Sequence, residues 1–158
     1  MKSLDTLGVD LGGINLIEAS AGTGKTYAIS TLYLRFLLES KLSVEEILVV
    51  TYTRAATSEL RDRIRSRIRD LLEVLHSGES EDELLLQLRR EREERGTLDE
   101  DDKRLRLALS SFDQAAIYTI HGFCQRALQD AAFESGASFD ATLEASTDTW
   151  IEEIACDL

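Results

Sequence analysis

Ala19-Ser20-Ala21-Gly22-Thr23-Gly24-Lys25-Thr26 is the stretch that decides the fold class. It has the spacing of a phosphate-binding loop, with alanine where the first glycine usually stands. Gly22 and Gly24 allow positive φ and let backbone N–H groups approach phosphate oxygens without a Cβ in the way. Lys25 carries a compact charge on a flexible stem, suited to β and γ phosphates, and Thr26 offers a hydroxyl to Mg²⁺. Ahead of the loop, Ile14-Asn15-Leu16-Ile17-Glu18-Ala19 is predicted to form a short strand. Behind it, Lys25 to about Ser40 has helical periodicity, with Ile29, Leu32, Tyr33, Phe36 and Leu37 on one face. A helix in that place points its positive dipole end at the anion. Strand, glycine-containing turn and helix form the context that the motif requires.

Working outward, Ser43 and Glu46 have the spacing of a capping box, which predicts a short helical turn. Ile47-Leu48-Val49-Val50-Thr51 is a continuous apolar run of the kind found in a strand buried on both faces. A long helix is expected over about Arg54–Leu75, since Leu60, Ile64, Ile68, Leu71 and Leu75 recur three and four apart. His76-Ser77-Gly78 ends it. Residues 79–106 are dense in mixed charges and broken at Gly96-Thr97, which predicts a solvated helical hairpin inserted outside the sheet. Ala115-Ala116-Ile117-Tyr118-Thr119 is predicted as a third strand. Helices are expected from His121 to about Ala132 and over Thr147–Leu158. Alternating strands and helices point to an α/β fold with three adjacent parallel strands. Three strands are few for a sheet that must be covered on both faces, so the chain reads as the front part of something larger.

Composition sets the outer limits. The chain has 158 residues, 43% hydrophobic and 30% charged, as in globular proteins rather than disordered ones. No run approaches the ~18 apolar residues of a membrane helix. Met1-Lys2-Ser3-Leu4-Asp5 contains no apolar signal region, so a cytoplasmic location is expected. Two cysteines, Cys124 and Cys156, lie in apolar helical patterns and are expected as buried free thiols. Two histidines and no Cys-x-x-Cys leave a metal site short of ligands. Proline is absent, in keeping with a helix-rich chain. A net charge of −12 argues against nucleic-acid binding, but its distribution does not. Arg54, Arg61, Arg63, Arg65, Arg67 and Arg69 form a basic island against only Glu59 and Asp62, and no Lys or Arg follows Arg126.

The alanine-first loop resembles motif I of superfamily 1 helicases, A-x-x-G-x-G-K-T. Val49-Val50-Thr51-Tyr52-Thr53-Arg54-Ala55-Ala56-Thr57-Ser58-Glu59-Leu60-Arg61-Asp62-Arg63-Ile64 is similar to motif Ia, T-[FY]-T-x-x-A-x-x-E-[LM]-x-x-R-[IV]. Thr119-Ile120-His121-Gly122-Phe123-Cys124 is similar to the T-[IF]-H-[GS] motif that follows it. Each motif falls at a predicted strand C-terminus, where open α/β sheets bind ligands. Among UvrD-like members, Leu16–Thr26 and His121–Arg126, continuing through Ala132–Gly136, resemble the RecB family, the β subunits of exodeoxyribonuclease V. This likeness covers about residues 14–145 and is weakest over the charged insertion.

The resemblance implies an incomplete RecA-like P-loop NTPase domain, with residues 1–158 as the N-terminal part of helicase domain 1. The second RecA-like domain and the nuclease domain would lie outside this sequence. It also implies an enzyme using ATP and Mg²⁺ to unwind and degrade double-stranded DNA ends for recombinational repair, with RecC- and RecD-type subunits. Nucleotide contacts carry over to Ala19, Ser20, Ala21, Gly22, Thr23, Gly24, Lys25 and Thr26, with Lys25 as the catalytic contact and Thr26 as the metal ligand. DNA contacts carry over to Thr51, Tyr52, Thr53, Arg54, Arg63 and His121, on a single-stranded track. Tyr52 stacks on a base or packs in the core; His121 meets a phosphate or caps a helix; Arg63 meets DNA or pairs with Glu59.

Four departures qualify the likeness. No glutamine precedes Gln87, so the adenine-reading motif of UvrD-type helicases is missing, and Arg54 stands where relatives often carry Glu, Asn or Lys. Beyond Cys124 no acidic pair ends an apolar run as a Walker B motif would, and no arginine-finger candidate follows Arg126. The chain by itself is therefore expected to bind Mg-ATP weakly without turning it over. Alternative readings are an AddA-type helicase–nuclease, a small P-loop kinase, and a non-catalytic scaffold whose helix 54–69 binds protein.

Overall fold

The computed structural model describes residues 5–20, 22 and 24–131. The chain divides into two units, the first running to Thr119 and the second beginning at Ile120. In the first unit, α1 (Lys25–Leu38) leaves the phosphate loop directly, with Gly24 at its N-cap in the left-handed region. It packs on α2 and α4, burying Tyr33, Leu34, Leu37 and Leu38. Ile29, expected on the buried face, is 39% exposed. Because α1 is gripped by two helices, the buried stripe includes Leu34 and Leu38 and leaves the Ile29 side open.

A turn at 44–46 follows, held by the Ser43 N–H donating to Glu46 Oε2 at 2.7 Å, as the capping spacing implies. This bond also holds the Glu46 carboxyl below its ordinary range. β1 (Val49–Thr51) and β2 (Ile117–Thr119) pair in parallel, Val49 opposite Ile117 and Thr51 opposite Thr119. Both are shorter than predicted. Ile47 turns into the core, and a 3₁₀ turn at Phe112–Gln114 delays the start of β2.

The expected strand over 14–19 does not form, so the sheet has two strands among the described residues. Ile14 and Leu16 are 101% and 85% exposed. A strand needs a partner ladder, and this apolar run meets none among the described residues.

α2 (Arg54–Ser77) is the spine of the unit. Thr53 caps it, its side chain accepting the Ala56 N–H at 3.1 Å. Gly78, with φ of 75°, closes it by donating to the Val74 carbonyl. Leu60, Ile64, Ile68, Leu71 and Leu75 are all buried, as their spacing requires. Each contributes on the order of 1.5–3 kcal/mol of apolar burial.

The charged insertion forms α3 (Glu83–Glu94) and α4 (Leu98–Ser110), outside the sheet. It is not a solvated hairpin. Both helices pack on α2 and bury Leu85, Leu88, Leu105 and Ala108 in the shared core. Most of the mixed charge lies on their outer faces. Arg92 and Asp101 also lie inside, paired at 2.7 Å between side chains 5% and 1% exposed.

In the second unit, α5 (Ile120–Asp130) contains no buried residue. Cys124, expected inside, is a free and exposed thiol on this helix. The helix expected over Thr147–Leu158, and Cys156 within it, lie outside the described residues. Among the described residues, no helix is long and apolar enough to cross a membrane.

Candidate functional site

The predicted phosphate loop runs directly into α1. Gly22 and Gly24 have φ of 77° and 83°, and a Cβ at either position would meet nothing within 4 Å. Glycine is needed there for its backbone angle rather than for crowding. The first N–H to close a helical bond is that of Ala28, to the Gly24 carbonyl at 2.9 Å. The N–H groups of Lys25, Thr26 and Tyr27 therefore lack intrahelical acceptors, and Gly24 at the N-cap has no side chain to cap them. This is the arrangement that attracts an anion to a helix N-terminus. The Lys25 side chain folds across its own loop, Nζ donating to the carbonyls of Ala19 at 3.0 Å and Ser20 at 2.5 Å. Thr26 is half-buried beside it. Ala21 and Thr23 lie outside the described residues.

Next to Thr26 the structure brings together residues that the sequence reading did not connect. Thr26, Tyr27, Ser30, Arg63, Ser66, Arg67 and Asp70 line a cleft of about 170 Å³ between α1 and α2. Burial pushes the Asp70 carboxyl above its ordinary value, against the lowering influence of Arg67 and Arg69. Tyr27 hydrogen-bonds Asp82, the N-cap of α3. Two signals for this cluster were present: the helical spacing of Arg63 and Arg67, and an aspartate placed to cap at position 82.

The predicted DNA residues divide by surroundings. Tyr52, immediately after β1, is 80% exposed, which removes the alternative that its ring packs in the core. Thr51 Oγ1 lies 2.6 Å from Thr57 Oγ1 and donates to the Thr53 carbonyl at 3.2 Å, so its hydroxyl is engaged. Thr53 Oγ1 accepts from Ala56 and keeps its own hydrogen to donate. Arg54 is exposed at the start of α2. Arg63 and Glu59 stand 3.7 Å apart, both exposed, a pair worth about 0–1 kcal/mol that does not immobilise the guanidinium. His121 is exposed within the first turn of α5, in the second unit.

The basic island is partly structural. Arg61 donates to the carbonyls of Ala115 and Ile117, pinning β2 to α2. Arg65 leans over the Phe112 ring at 5.8 Å, and Arg67 is buried. Arg54, Arg63, Arg65 and Arg69 have exposed side chains.

The family model of the UvrD/REP helicase N-terminal domain matches residues 6–157. The chain belongs to that family. Similar UvrD/REP-type relatives include the RecBCD enzyme subunit RecB of Escherichia coli K12, 46% identical over 150 residues, which cover 90% of this chain and 12% of that protein. RecB of Haemophilus influenzae Rd is 46% identical over 89% of the chain, and RecB of Mycobacterium tuberculosis H37Rv is 36% identical over 92%. They bear out the resemblance drawn from the three motifs. The chain spans about 12–13% of the length of these relatives.

Proposed function

We propose that this chain is the ATP-binding part of a RecB-type subunit of an ATP-dependent helicase–nuclease. Its Ala19–Thr26 loop holds Mg-ATP, and the end of β1 with the start of α2 lies along single-stranded DNA. The observation that carries this reading is the pair of positive-φ glycines at a free helix N-terminus, with Lys25 and Thr26 beside it. The fit to Mg-ATP is chemical as well as spatial. Positive-φ glycines, unshared N–H groups, an ammonium and a hydroxyl are the donor set that polyphosphate and a hard cation require. Lys25 now satisfies loop carbonyls, contacts that a phosphate group can replace with a stronger charge-assisted one. Bound ATP supplies the free energy of phosphoryl transfer; the residues here hold and orient it.

In this reading the domain is an incomplete RecA-like P-loop domain. Tyr52 offers a ring face to a base, while Thr53, Arg54 and Arg63 reach phosphates. The whole subunit would work in the cytoplasm on double-stranded DNA ends with RecC- and RecD-type partners. Residues 79–106 are an insertion that braces α2. The test is ATP-driven strand separation by the assembled enzyme carrying Lys25→Ala. Loss of both unwinding and DNA-dependent ATP hydrolysis is expected. Unwinding at the wild-type rate would contradict the assignment.

A further inference from the structure

Three elements meet at one carboxylate. The Tyr27 hydroxyl lies 2.9 and 3.1 Å from the two oxygens of Asp82, which stands 55 positions further along the chain. Arg67, from the middle of α2, forms a short ion pair with the same carboxylate. Asp82 Oδ1 also accepts the N–H groups of Leu84 at 3.0 Å and Leu85 at 3.4 Å, and so caps α3. The Arg67 guanidinium lies 4.4 Å from the Tyr27 ring centroid, and its Nη2 donates to Thr31 Oγ1 one turn further along α1.

Tyr27 directly follows Thr26, in the turn that carries the free N–H groups. Its ring is 43% exposed, and the cleft lined by Thr26, Tyr27 and Ser30 leaves that side of the turn open. Hydrogen bonds and the ring–guanidinium contact, more than apolar packing, hold the first turn of α1. Tyr27 thus links the first turn of α1 directly to the N-cap of α3.

We propose that Tyr27 and Asp82 are positioning residues. They fix the first turn of α1 for nucleotide and pass occupancy of the loop to the cap of α3. This inference rests on the reading of Ala19–Thr26 as the nucleotide site. Coupling of this kind is reciprocal. If the Tyr27–Asp82 contact favours the binding geometry, bound nucleotide strengthens the contact and with it the α3 cap.

The experiment compares Tyr27→Phe, Asp82→Asn and Lys25→Ala with the wild-type full chain. It measures Mg-ATP affinity, amide exchange at Leu84 and Leu85 with and without Mg-ATP, and thermal unfolding without nucleotide. Tyr27→Phe keeps the ring over Arg67 and loses one hydroxyl, so it remains informative even if Asp82→Asn does not fold. The expected result is affinity weakened about fivefold or more in Tyr27→Phe. Mg-ATP should slow exchange at Leu84 and Leu85 in the wild type and not in that variant. Unchanged affinity in Tyr27→Phe alongside clear loss in Lys25→Ala would overturn the positioning role and leave the nucleotide site standing. A lowered melting temperature with unchanged affinity would also overturn it, by showing a purely structural contact. No Mg-ATP binding by the wild-type chain would remove the nucleotide reading and this proposal together.

Discussion

Replacing Arg92 with leucine should be among the most damaging single changes in the described residues. Asp101 is 1% exposed and accepts from Arg92 Nε at 2.7 Å, Arg92 Nη2 at 2.9 Å and Thr97 Oγ1 at 2.7 Å. Arg92 Nη2 also reaches the Leu38 carbonyl at 3.3 Å, so the pair fastens the hairpin to the end of α1. Arg92→Leu leaves a carboxylate inside the protein with one hydroxyl as its side-chain donor. Stranding one member of a buried pair costs about 3–5 kcal/mol, a large share of the roughly 5–15 kcal/mol total of a typical domain. With a urea m-value of about 2 kcal/mol/M, the unfolding midpoint should fall by about 2 M. The assay is equilibrium urea unfolding followed by circular dichroism for Arg92→Leu, Asp101→Leu and the double variant. The double variant should recover most of the loss, because no unpaired charge remains. A loss below about 1 kcal/mol in Arg92→Leu would refute the claim that this pair holds the hairpin in place.

Other consequences concern the DNA track and acid. Tyr52→Ala should weaken single-strand binding by about 1–3 kcal/mol and leave the melting temperature unchanged, since its ring is exposed; fluorescence anisotropy with a labelled oligonucleotide measures this. Arg54→Ala should reduce the salt slope of DNA binding by about 1, whereas Arg61→Ala should lower stability, because Arg61 is occupied by the carbonyls of Ala115 and Ile117. Burial alone would raise the Asp82 carboxyl, but hydrogen bonds from Arg67 and Tyr27 and the Arg67 charge outweigh it and hold it below its ordinary 3.8. Its stabilising contribution is therefore complete above that value and lost as pH falls through the depressed one. The stability gap between wild type and Asp82→Asn should be constant near neutrality and close in acid.

Legibility followed how local each determinant is. The phosphate loop, the α2 leucine–isoleucine stripe and the Gly78 stop were readable because each depends on a few neighbouring residues. The Leu85, Leu88, Leu105 and Ala108 face was hidden by the charges around it, and charge density was taken for exposure. Burial of Arg92 with Asp101 depends on a partner nine positions away and on the Leu38 carbonyl that Arg92 reaches, which no local pattern reveals. Ile14–Ala19 has the composition of a strand, but composition supplies no hydrogen-bond partner. At the site, Lys25 and Thr26 were legible from the motif. Tyr27 was not, because its role comes from an aspartate 55 positions away.

Equilibrium binding of Mg-ATP to this chain, with Lys25→Ala in parallel, addresses the nucleotide site most directly. Titration calorimetry should show saturable one-to-one binding by the wild type. Removing a charge-assisted contact worth about 1.5–3 kcal/mol should weaken it by roughly tenfold or more in Lys25→Ala. Equal affinity in the two proteins, or no binding in either, would contradict the assignment of Ala19–Thr26 as the nucleotide site.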